Sequence, residues 1–336
     1  MGLPEPVNRF DRFQQRTRWL AIPLAVIKKA GDDQGGNLAA LVAYFGFFSL
    51  FPLLLVFTTI LGYVLAGDPS TQHKVEHSIT KQFPSLGSSL PLHSISGSAV
   101  ALILGLLVSL WAGLGVTNAA QNLIDTVWAV PRKDRPNFIK SRLRGVGLLA
   151  FLGALFVVST IVTGAVSSSF GGVGAKIGGY VISLLVNGLL FFASFRLMTQ
   201  DVSSRDLLPG SAVGGVLWTI LQSVGSVYLH HIKTTNYGVF AVVIPLIIWL
   251  HLGGQVFMYS AEVNVVVTRG LWPRSFFGPP TAPADQETLT ALAKAEERSD
   301  RQRVDVEFSE PREPGDDGGA GTPGAARPEK TSPRRR

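Results

Sequence analysis

The sequence predicts an all-α polytopic membrane protein: a six-transmembrane-helix bundle with the N-terminus and the C-terminus both inside. Three observations carry this expectation. The stretch Asn37–Gly67 holds no charged side chain between Leu38 and Ala66. A helix rises about 1.5 Å per residue and a bilayer core takes about 20 apolar residues, so this run spans with some tilt. Of 336 residues, 46% are hydrophobic and only 16% charged, where an ordinary soluble chain has about 25% charged. The remaining charges crowd into the first 37 residues, a few loops and the tail, and Lys and Arg favour alternate loops, as basic cytoplasmic loops do.

Composition also sets exclusions. With no cysteine there is no disulfide framework, thiolate nucleophile or Cys-based metal site. The segment 1–36 is polar and basic with no short apolar core near its start, so the first span is expected to act as its own uncleaved insertion signal. The net charge of +7 is read as basic cytoplasmic loops, and no nucleic-acid partner is expected.

The N-terminal arm, 1–36, carries Arg9, Arg12, Arg16, Arg18, Lys28 and Lys29. Phe10, Phe13, Thr17 and Leu20 fall three or four apart, on one face of a helix. Two readings stay open: an amphipathic helix on an anionic leaflet, or a loosely ordered basic tail. Pro23 is expected to break or restart the helix. In the first span Pro52 removes the bond back to residue 48, which predicts a kink with Ser49 helping to satisfy freed carbonyls.

Residues 67–97 read as an outside loop, where His73 and His77 are expected to be solvated rather than metal-bound. The second span runs from about Ser98 to Val130 and stops at Pro131. A strongly basic loop follows: Arg132, Lys133, Arg135, Lys140, Arg142 and Arg144. The third span is about Gly145–Val166, 167–178 an outside turn, and the fourth about Gly179–Met198. The fifth is about Leu208–Leu229, with Ser211, Gly214, Gly215 and Trp218 spaced for close helix approach. The sixth is about Gly238–Val267, with Pro245 inside. The transmembrane domain is thus 37–268. The tail, 269–336, is charged and rich in Pro and Gly, with a short helix expected within Ala284–Arg303 and disorder from Pro311 onward.

Polar residues inside apolar helices mark candidate sites. His251, Gln255 and Glu262 share a face of the sixth span. A buried carboxylate there costs about 2.5–3.5 kcal/mol on insertion scales, so Glu262 is expected to face protein or water. Asn118, Gln121, Asn122 and Asp125 form a stripe on the second span, continued by Trp111 and Gly115. The candidate polar cleft is Asn118, Asn122, Asp125, Arg196, Gln255 and Glu262. The alternative is interhelical glue, with Glu262 bonded to Arg196, Asn122 or backbone groups. No serine-hydrolase, zinc-protease, P-loop or Cys/His pattern occurs, so neither catalytic residues nor a cofactor nor a metal is expected.

Four blocks resemble the YihY/BrkB family of bacterial inner-membrane proteins, also labelled envelope integrity proteins and formerly ribonuclease BN. They are Ala43–Phe57 (AYFGFFSLFPLLLVF), the Asn122 region into Arg135–Leu143 (RPNFIKSRL), Leu208–Trp218 (LPGSAVGGVLW), and Asn236–Leu252 into Ser260–Asn264 (SAEVN). The resemblance implies a six-helix bundle with both termini in the cytoplasm. It gives no substrate. The sequence departs from the family pattern at Phe195-Arg196, at Ser260-Ala261-Glu262 and at His251.

The expected function is a cell-membrane protein of the envelope that transports or flips a lipid-related or small solute. Membrane lipids are its partners, and the arm makes anionic-lipid contacts. The alternative is a non-transporting envelope-integrity scaffold. A ribonuclease ranks last.

Overall fold

A computed structural model of the chain describes residues 11, 13–65, 99–137, 139–147, 151, 172–231, 240–275 and 282–308. Backbone groups without water must bond within their own segment, and the regular elements among the described residues are helices, with no strand. The long elements are α1 (Arg18–Asp32), α2 (Gly35–Leu65), α3 (Ala99–Val127), α4 (Gly172–Met198), α5 (Leu208–His231), α6 (Phe240–Arg269) and α7 (Pro283–Ala295). A further helical run occupies 139–147, ahead of the expected start of the third span at Gly145. The body of that span, the His73/His77 loop and the tail from Pro311 lie outside the described residues. Two compact units divide the chain, Met1–Asp305 and Val306–Arg336; of the second, Val306–Phe308 are described and are irregular.

From Arg18 the arm forms a helix, but it does not break where the sequence pattern put the break. The chain turns at Thr17, whose carbonyl accepts the N–H groups of Leu20 and Ala21 at 2.9 Å each. Helix α1 then runs through Pro23 unbroken. The proline withholds its N–H from Trp19, which lies at the surface where other donors are available. Phe13 and Trp19 stand exposed, whereas Ala21, Ala25, Val26 and Ala30 are buried. Small side chains allow the close approach of α1 to α6 that aromatic ones would prevent.

Helix α6 is the hub. It packs on α1, α2, α3 and α5, while α2 pairs with α3 and α4 with α5. Glycines set the spacing. A Cβ on Gly254 of α6 would fall 2.6 Å from the Ala39 carbonyl oxygen of α2. One on Gly215 of α5 would fall 2.8 Å from the Gly188 nitrogen of α4, in keeping with the small-residue spacing read on the fifth span. Asn264 of α6 accepts the Gly210 N–H of α5 at 2.7 Å. Asn187 of α4 donates to Thr219 and Gln222 of α5 at 3.1 Å each.

Two local expectations shift. Helix α4 begins at Gly172, inside the stretch read as an outside turn, because no proline interrupts Gly172–Gly178. In α2, Ser49 donates to the Gly46 carbonyl at 2.8 Å rather than to the carbonyl freed by Pro52, and the helix continues past that position.

The core gathers at one end of the bundle. Leu123, Ile124 and Val127 of α3 meet Phe195 of α4 and Met258, Ala261 and Val265 of α6. Toward the other end, large apolar side chains face outward, among them Ile103, Leu107, Leu185, Val224 and Ile247. That much exposed apolar surface suits lipid, not water. Among the described residues, Gly178–Met198, Ser204–Gly225 and Val243–Arg269 are long and apolar enough to cross a membrane.

Candidate functional site

Glu262 sits on the inner face of α6 with no exposed surface. Its partner is Lys29 of α1, not Arg196 or Asn122. Lys29, only 3% exposed, places its ammonium 3.0 Å from Glu262 Oε2, at ion-pair distance though off the hydrogen-bonding angle. The same ammonium donates to Asp33 Oδ2 at 2.6 Å and to the Val127 carbonyl, at the end of α3, at 2.8 Å. One cation therefore serves two buried carboxyl groups and a helix terminus, and it joins α1, α3 and α6. A buried charge is tolerable only when paired in this way.

A second polar place is a cavity of about 500 Å³ between α2 and α3. Leu41, Tyr44, Phe45 and Phe48 of α2 and Trp111 of α3 form its apolar part, and Asn118, Asn122 and Arg142 its polar end. Gly115 leaves room for Phe45, whose ring a Cβ at that position would meet at 2.8 Å. Asn118 Oδ1 accepts the Ser141 hydroxyl at 2.8 Å, and Asn122 Oδ1 accepts Arg135 Nη1 at 2.9 Å. The Arg135 side chain also donates to the Val130 carbonyl at 3.2 Å, which folds the basic loop back onto α3.

The six residues of the predicted cleft do not share one wall. Asn118 and Asn122 line the α2–α3 cavity. Asp125 turns away from it, accepts Gln121 Nε2 at 2.9 Å, and lines a separate cavity of about 370 Å³ with Trp128, Thr199, Asp206 and Arg269. Gln121 also donates to the Met198 carbonyl at 2.9 Å, so this corner ties α3 to α4. Gln255 is half-buried beside His251, 3.2 Å away on the same helix. Arg196 is exposed at the end of α4. A helical stripe of four residues wraps far enough around its axis to face two neighbours, which is why one sequence pattern serves two cavities.

The charged segments flanking the helices interlock at the same end. Arg274 donates to Asp285 Oδ1 and to Asp32 Oδ2, each at 2.8 Å, and Lys28 pairs with Asp285 at 2.9 Å. The Ser275 N–H donates to Asp285 Oδ2 at 3.0 Å. Burial opposes ionisation of Asp285, but donation by Lys28, the Ser275 amide and Arg274 outweighs it and holds the carboxyl below its ordinary value. Arg132 pairs with Glu296 and Lys133 with Glu297, at 2.9 Å each, joining the basic loop to the segment after α7.

Sequence reasoning missed Lys29, Arg142 and the α2 aromatics as site residues. Lys29 looked like one more topology charge. Its spacing of four from Asp33, next to the first span, was the available signal. The α2 aromatics fall within an all-round apolar helix, where periodicity gives no inward face.

Comparison with known proteins agrees with the membrane reading. The family described as "Virulence factor BrkB" matches residues 26–280, from α1 past α6. The chain is 24% identical over 251 residues to the ribonuclease-like protein YfkH of Bacillus subtilis (strain 168), covering 70% of this chain and 90% of that one. It is 25% identical over 257 residues to a UPF0761 membrane protein of Pseudoalteromonas translucida, covering 72% and 84%. To the inner membrane protein YhjD of Escherichia coli (strain K12) it is 23% identical over 272 residues, covering 74% and 81%. No solved structure matches it.

Proposed function

The chain belongs to the BrkB family, a family with membrane-protein members, and we propose that it draws an amphiphile from the bilayer into the α2–α3 cavity and moves it across the membrane. The observation that carries this reading is the lining of that cavity, aromatic along one part and polar at its end. Tyr44, Phe48 and Trp111 are exposed, so the cavity is reachable sideways from lipid. Aromatic rings hold acyl chains, while Asn and Arg serve a head group.

The same reading takes six spans, with both termini and the basic loops in the cytoplasm. Its support is the contact of α1, the basic loop and the segment after α6 at one end of the bundle, through Lys28–Asp285 and Arg132–Glu296. We place the protein among carriers rather than enzymes. Three of the six loop cations that suit nucleic acid are engaged: Arg132 with Glu296, Lys133 with Glu297 and Arg135 with Asn122.

Purified protein in liposomes carrying a fluorescent phospholipid tests the proposal through the fraction of dye that external dithionite reaches. Faster loss of protected dye is expected, slowed by the cavity-filling Ala112→Trp. No movement by folded protein sinks the reading. A scaffold role is the second reading, favoured by the interlocked Lys28, Arg274 and Asp285. It predicts that breaking that cluster abolishes function while Ala112→Trp is silent.

A further inference from the structure

We infer that Glu262 and Asp33 form a proton-binding site, in which the two carboxyl groups share one proton beside the Lys29 ammonium. Donors and acceptors decide it. An ionised carboxylate only accepts, and the ammonium is the one strong donor at hand. Lys29 makes aligned bonds to Asp33 Oδ2 and the Val127 carbonyl, and meets Glu262 Oε2 off the hydrogen-bonding angle. Asp33 Oδ1 and both Glu262 oxygens are buried with no donor on them. Glu262 has no exposed surface and Asp33 only 5%. The two carboxyl groups lie within hydrogen-bonding reach of each other. Two carboxylates in that position repel. One proton between them turns the contact into a hydrogen bond, gives a stranded oxygen its donor, and leaves a single negative charge for Lys29.

The elements around the pair supply no rival donor among the described residues. Helices α2 and α5 hold no acid, lysine or arginine. Asp125 of α3 and Asp206 line the separate cavity of about 370 Å³, and Arg205 is exposed. His251 meets Gln255 on α6, about three turns from Glu262. Arg269 acts on Asp33 through its charge, but Glu287 acts on it more strongly, and its Nη2 donates to the Trp128 carbonyl. A cavity of about 20 Å³, lined by Lys29, Asp33, Arg269 and Glu287, adjoins the pair. It has room for about one water. Glu287 is exposed, so protons reach Asp33 from the end of the bundle that carries the interlocked charges. Loss of the shared proton sets two buried carboxylates against one ammonium and loosens the seat of α1 on α6.

Infrared spectroscopy of the full chain in detergent at neutral pH tests the inference, through the C=O stretch of a protonated carboxyl, which shifts in D₂O. The wild type should show this band. Glu262→Gln and Asp33→Asn should each lose the equivalent of one protonated carboxyl, because the acid that remains pairs with Lys29 and ionises. Both amides keep the shape of the site, and if one variant does not fold the other is read. A variant that loses only carboxylate signal overturns the inference. A band kept by Asp33→Asn also overturns it, since the proton would then sit on Glu262 alone. Melting gives a second readout. A folded state that holds a proton the unfolded chain releases loses stability as the pH rises. The wild-type melting temperature should therefore fall from neutral into alkaline pH more steeply than that of Glu262→Gln, whose amide N–H takes the place of the proton. Equal slopes overturn the inference. So does a rise in wild-type melting temperature when sodium chloride replaces choline chloride at one alkaline pH, since the ligand would then be a metal cation.

Discussion

Lys29 and Glu262 meet 3.0 Å apart where neither side chain is open to solvent, one from the arm helix and one from the last long helix. Because Lys29 also holds Asp33 and the end of α3, α1 is an internal part of the bundle. Removing the cation strands two buried carboxyl groups. Lys29→Met should destabilise the protein by about 3–5 kcal/mol, read as thermal unfolding in detergent. Adding Glu262→Gln to that variant should restore part of the loss. If the double variant is as unstable as the sum of the two singles, the pair is not coupled.

Asp285 gives a pH dependence with a defined sign. Its carboxyl is held below the ordinary value of 3.8 by Lys28, the Ser275 amide and Arg274. The stability it contributes is present above that value and is lost as the pH falls through the lower folded value. Asp285→Asn should therefore melt below wild type at neutral pH, and the two curves should converge below pH 3.8. Parallel curves across the acid range would show that Asp285 does not hold the segment.

Two glycines make a matched pair. A Cβ on Gly210 would collide with the Ser260 carbonyl and lie 2.6 Å from Asn264, whereas one on Gly179 meets nothing within 4 Å. Gly210→Ala should force α5 and α6 apart and lower yield and melting temperature. Gly179→Ala should be neutral or gain up to about 1 kcal/mol of helix propensity. Similar melting of the two variants contradicts the packing.

Asn187 is polar glue between α4 and α5. Replacing it with Leu should cost about 0.6–2 kcal/mol. Thr219→Val in the same background should add less than it does alone, because Asn187 donates to Thr219.

The helices were legible because uncharged runs in lipid have one solution, and proline and basic clusters mark their ends. The glycine spacing of α5 was legible for the same reason: small residues at a spacing of four permit contact wherever the partner lies. Pairing between distant segments was not. Glu262 announced that it needed a partner, but charge pattern alone could not choose among Lys29, Arg196 and backbone groups. The stripe on α3 reads as one wall in the sequence because spacing gives angles around a single axis, not the neighbours on each side. Asn122 and Asp125 consequently face different cavities.

Occupancy of the α2–α3 cavity is most directly measured by photocrosslinking. Phe48 lines it at 51% exposure, and Ile220 on α5 is 53% exposed, so both meet lipid equally in the absence of a site. A photoactivatable phenylalanine analogue at Phe48 should capture a labelled phospholipid far more than one at Ile220, and Ala112→Trp should remove the difference. Equal labelling at the two positions would contradict a lipid site between α2 and α3.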